Sequence, residues 1–315
     1  MVRFSPFHNW TLCVALGLPG AAAAQPAARP AAAASAVPPG NDTIERLHDK
    51  LAERLGSVRQ PTTDGTLLLK VPSRPLSRER PLPSQPAAPA KAVAWAYEGP
   101  GGPAEWGRLR PEYAKCATGQ RQSPIDIRDG IAVDLDPIEF EYQPGAFRVI
   151  DNGHTVQVNV ARGNSITVGG RRYELQQFHF HRPAEERIAG KRFDMGAHLV
   201  HKDVEGRLAV LVVLLERGAA HPVVQQVWNN LPLEKGEEQA ARQPLNPAQL
   251  LPEDRRHITY MGSMTTPPCS EGVLWLVMKQ PVPVASEQIE VFGRLYPMNA
   301  RPVQPTAGRM IKESR

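Results

Sequence analysis

The chain has 315 residues, 41% of them hydrophobic, which is enough for a sizeable core in one large domain. Its 32 prolines, about twice the usual share, mean that part of the chain does not pack. The formal charge of +5, from 37 basic and 32 acidic residues, gathers into no Lys/Arg run dense enough to track phosphates, which excludes nucleic acid as a partner.

Residues 1–24 read as an export signal: Arg3 supplies a positive start, and an apolar stretch from Trp10 to Leu18 leads into the small residues Ala21 to Ala24. That stretch falls well short of the roughly 20 residues a bilayer needs, so no stable membrane span is expected after cleavage. Cys13 leaves with the signal. Cys116 and Cys269 remain, an even count in a chain that meets oxidising conditions, and are the expected disulfide. Closing so long a loop is assigned about 3 to 5 kcal/mol by chain-entropy models.

Residues 25–91 form a Pro/Ala-rich extension, read as disordered, with Pro26, Pro30, Pro38, Pro39 and repeated prolines from Pro72 to Pro89. One amphipathic helix is predicted within it, over about 42–55, with Ile44, Leu47, Leu51 and Leu55 on one face and Gly56 at its end. A helix this short is marginal alone. Self-association or docking through the extension is the functional reading, and a solvated, partly formed helix is the plainer one.

From residue 92 to 315 the composition turns globular. Strands are predicted at 147–150, 155–160, 165–168, 175–181, 196–201, 208–215 and 273–278, parted by turn residues such as Asn152-Gly153, Gly163-Asn164 and Gly169-Gly170. Helical patterns are few, at Pro222 to Leu231 and Ser286 to Leu295. The expected fold is mainly β (α+β), a single domain on a large twisted mixed β-sheet with short surface helices.

The chemistry lies on two of those strands. His179 and His181 stand two apart in QFHFH, so in a strand both side chains leave one face and the phenylalanines leave the other. A third ligand is available in Gly196-Ala197-His198-Leu199-Val200-His201, but His198 and His201 point to opposite faces and periodicity does not choose between them. Three neutral imidazoles suit zinc and leave its fourth tetrahedral position open for water, the arrangement of a catalytic site. No carboxylate stands at facial-triad spacing, and no Cys/Met pattern suggests blue copper.

The segments around these histidines resemble those of the alpha-class carbonic anhydrases, over nearly all of Ala92 to Arg315. Trp95, Tyr97, Gly102-Pro103 and Trp106 resemble the family's opening, and Gln122 to Ile127 its QSPIxI segment. Asn152-Gly153-His154, Gln177 to His181, Ala197 to His201, Gly262 to Glu271 and Asn299 to Gln304 follow in the family's order. The resemblance implies His198 as the third zinc ligand, with His201 packed beside it. It implies that Gln177 and the backbone near Asn299 hold the far nitrogens of His179 and His181. Thr265 would accept a hydrogen bond from a zinc-bound hydroxide and give its proton to Glu185. Val200, Val210, Met264, Thr266, Val273 and Trp275 would form the pocket for carbon dioxide, and His154 would shuttle the proton.

The implied reaction is reversible, zinc-dependent hydration of carbon dioxide to bicarbonate in a secreted, periplasmic protein. The alternative is a carbonic-anhydrase-like binding or tethering module with weak or no activity. Two departures stand out. Gly196 replaces the glutamate that the family commonly places two residues before the third ligand, so the usual carboxylate partner of His198 is expected to be missing. Arg182 follows the second ligand, and Glu186 stands where a histidine often follows the buried glutamate.

Overall fold

The computed structural model describes residues 93–315; the expected export signal, Pro/Ala-rich extension and 42–55 helix lie outside the described residues. Residues that alternate with a period of two build a 13-stranded sheet. Its principal strands are β1 (Phe147–Asp151), β2 (Val156–Val160), β3 (Arg171–His181), β4 (Met195–Lys202), β5 (Leu208–Arg217), β6 (His257–Ser263) and β7 (Glu271–Met278). They lie in the order β1-β2-β3-β4-β5-β7-β6. Neighbours are antiparallel except β5 and β7, which run parallel, so the sheet is mixed, as expected from the sequence.

The strand β3 starts at Arg171, ahead of the predicted Leu175. Gly169 and Gly170, both with positive φ (53° and 73°), turn the strand Ser165–Val168 back onto it, and the charged residues 171, 172 and 174 pair there despite their poor strand propensity. β6 was not predicted, because HITYMGS carries little alternation; pairing with β7 along its whole length forms it. Helix α1 (Pro222–Trp228) stops short of Leu231, and helix α2 (Ser286–Leu295) matches its predicted span.

The run 208–215 is apolar at nearly every position because both sides of β5 are covered. Ala209, Leu211, Val213 and Leu215 join Phe178, Phe180, Leu199 and the inner faces of α1 and α2 in the larger core. Val210, Val212 and Leu214 face the other way, into a second cluster with Val200, Tyr260 and Trp275. Among the described residues no helix is long and apolar enough to cross a membrane.

Candidate metal centre

Strand alternation carries His179 and His181 to the side of β3 away from the larger core, beside the second cluster. Cross-strand pairing then sets His198 of β4 directly opposite His179. One ring nitrogen from each of the three histidines lies within 4.8 Å of the others. His201 is not part of this group: it is buried, and its Nε2 lies 2.6 Å from the Tyr142 hydroxyl.

Each of the three rings has its other nitrogen engaged. Nδ1 of His179 lies 2.9 Å from Gln177 Oε1. Nδ1 of His181 lies 2.8 Å from the carbonyl oxygen of Asn299. Nε2 of His198 lies 3.1 Å from Glu186 Oε2. The free nitrogens are therefore Nε2, Nε2 and Nδ1, all on the inner side of the cluster. Nε2 of His181 is buried without a hydrogen-bond partner, a costly state that a bound cation would relieve.

Burial pushes His181 down to about 4 and His198 to about 3, and holds His179 well below the ordinary histidine value, aided by the two neighbouring rings. All three imidazoles are thus neutral near pH 7, the state in which they donate lone pairs. The donor set, nitrogen only with three imidazoles, fits zinc.

The sequence reading expected His198 to lack a carboxylate partner because of Gly196. The structure corrects this: Glu186, from the segment that follows β3, reaches the ring instead. The pair of departures, a glycine at 196 and a glutamate at 186, is the one sequence signal of this exchange.

Glu185 is buried, and its Oε1 accepts the backbone N–H of Arg301 at 2.7 Å. Burial pushes its pKa up to about 7, opposed by His181 and by the Thr265 hydroxyl beside it. The Arg301 side chain, also buried, donates to Gln122 Oε1 (2.9 Å) and to the carbonyls of Ser123 and Cys116 (2.8 and 3.0 Å), tying the Asn299 segment to the rest of the site. Thr265 lies in the connection from β6 to β7, and Cys269 in the same connection forms a disulfide with Cys116. Trp106 packs against that disulfide.

The three histidines open onto a cavity lined by the apolar Val200, Val210, Met264 and Trp275, by the polar Asn152, His154, Gln157 and Gln177, and by Thr265 and Thr266. Val273 does not line it: the residue is buried in the second cluster beside Val200 and Val210. The His154 ring stacks on Trp95 with centroids 3.6 Å apart and planes 13° from parallel. Burial, with Lys235, lowers its pKa below the usual histidine value. Trp95, Asn152 and Gln157 are site residues that spacing alone did not single out.

The family model described as eukaryotic-type carbonic anhydrase matches residues 101–315. A carbonic anhydrase of Pectobacterium carotovorum is 42% identical over 226 residues, 71% of this chain and 93% of the relative. One from a Nostoc species is 42% identical over 233 residues, covering 72% and 88%. Among solved structures, the alpha-carbonic anhydrase of Thermovibrio ammonificans with the inhibitor sulfanilamide superposes with a TM-score of 0.68 at 42% identity, over 70% of this chain and 99% of that one.

Proposed function

The chain belongs to the alpha-carbonic anhydrase family and is an enzyme of that family; from this premise we propose that His179, His181 and His198 hold a catalytic zinc ion. The reaction is the reversible hydration of carbon dioxide to bicarbonate and a proton. The observation that carries the reading is the convergence of three ring nitrogens, each free because its partner nitrogen is engaged elsewhere. Zinc held by three imidazoles supplies a Lewis acid that brings a water's pKa to about 7, and carbonic anhydrases are the standard example of that chemistry.

The remaining work falls to the chain's own side chains. Glu185, held by the Arg301 amide, takes the Thr265 proton in a hydrogen bond. The threonine oxygen then faces the cavity as an acceptor and orients the attacking water. Carbon dioxide, uncharged and weakly hydrogen-bonding, lies against Val200, Val210, Met264 and Trp275. His154, stacked on Trp95 and with its pKa lowered by burial and by Lys235, accepts the proton released by hydration and passes it to buffer. Gln177 and the Asn299 carbonyl fix the tautomers of His179 and His181.

The disulfide and the bacterial relatives suit a protein outside the cytoplasm. We assign residues 1–24 to an export signal into the periplasm, 25–91 to a tethering or spacing extension and 92–315 to the enzyme. Zinc content and stopped-flow hydration of the wild type and His198→Ala test the reading. The wild type is expected to carry zinc and hydrate carbon dioxide, with sulfanilamide inhibiting it, and His198→Ala to lose both zinc and rate. Zinc-loaded wild type without hydration would overturn it.

A further inference from the structure

We infer that Glu186 is the positioning residue of His198: it supplies, from the segment after β3, the hydrogen-bond acceptor that β4 leaves out at Gly196. The inference rests on the zinc reading above. Of the three rings, His198 is the one that must present Nδ1 rather than Nε2 to the cluster. Whatever binds its Nε2 decides the tautomer and the ring's rotation. Glu186 Oε2 occupies that place at 3.1 Å, and both side chains are buried.

The placement of Glu186 is built into the backbone. Residues Arg187–Ile188 pair in parallel with Asp126–Ile127, and the Arg187 amide donates to the Ile125 carbonyl at 3.2 Å. Adjacent carboxylates thereby face different partners: Glu185 meets the Arg301 amide, and Glu186 meets His198. A residue needed only for packing would be apolar, since a buried carboxyl group with few partners is costly. Glu186 carries part of that cost: its Oε1 has no hydrogen-bond partner, and its Oε2 has the His198 ring.

Gly196 shows that the acceptor has a second route to the same nitrogen. It lies two residues before His198 on the same strand, so the two share a face. A Cβ at this glycine would stand 4.0 Å from His198 Nε2 and 3.4 Å from the Ala184 Cβ, both ordinary contacts. A carboxylate placed at 196 therefore starts beside the nitrogen that Glu186 now serves.

The test measures zinc affinity of the full chain by chelator competition, together with unfolding of the metal-free proteins. Glu186→Ala is expected to weaken zinc binding by about 10- to 100-fold, the usual consequence of removing such a partner. Adding Gly196→Glu to Glu186→Ala should recover most of the loss, whereas adding Gly196→Ala should recover none. Should Glu186→Ala fail to fold, Glu186→Met, which keeps a similar volume without an acceptor, takes its place in the zinc measurement. Unchanged affinity in the variant overturns the inference, as does a Gly196→Glu double variant that binds no better than its Gly196→Ala counterpart. A wild type that binds no zinc defeats the zinc reading itself, a result distinct from either.

Discussion

The two sides of strands β3, β4 and β5 differ in what their residues are asked to do. On one side Phe178, Phe180, Leu199 and Leu211 pack into the larger core against the two helices. On the other, the alternate positions 179, 181 and 198 hold neutral histidines whose nitrogens converge, flanked by Val200 and Val210. The backbone is common to both, and a shift of one residue would exchange them. The apolar side gives the sheet a fixed register, and the register is what brings His198 opposite His179. Rigidity on one side thus sets ligand placement on the other.

This division predicts that damage separates by side. Phe178→Ala, on the core side, should cost about 3 to 5 kcal/mol in urea unfolding. The hydration rate per folded, zinc-loaded molecule should stay within a few-fold of wild type, and a collapse of that rate would break the division. Thr265→Ala, on the cavity side, should do the reverse, lowering kcat/KM by about 10²-fold through misorientation while leaving the unfolding midpoint near wild type. Equal activity in the two proteins would remove Thr265 from the proposed machinery.

The smallest effect concerns His201, which belongs to neither function. Burial pushes it down to about 3, below the ordinary value near 6.5. The native state then refuses a proton that the unfolded chain accepts. His201 contributes its stability in full above pH 6.5, and that contribution falls as pH drops from 6.5 towards 3. Denaturation midpoints at pH 7 and pH 5 should therefore converge in His201→Gln relative to wild type; an identical pH dependence would show that other groups carry it.

Much of this was legible beforehand where one strand sufficed. Spacing of two made His179 and His181 a pair, the apolar run at 208–215 marked a strand, and repeated turn residues announced a sheet-rich fold. β6 was hidden because its residues alternate weakly and it exists through β7. The choice between His198 and His201 needed the family resemblance, since both suit a strand. In the structure His201 turns to Tyr142 on the face opposite His198, as alternation places residues three apart. Glu186 was harder still: nothing in EER says that the second glutamate meets a histidine twelve residues on.

The sequence by itself determined which side chains leave each strand on the same face, because that follows from backbone geometry alone. It also determined the family, because ordered segments such as QFHFH and TTPPCSE carry it. Only the tertiary structure decided what each far nitrogen touches. The partners of His181 and His198, Asn299 and Glu186, come from other parts of the chain, and contacts between parts distant in sequence exist only once the sheet has closed its register.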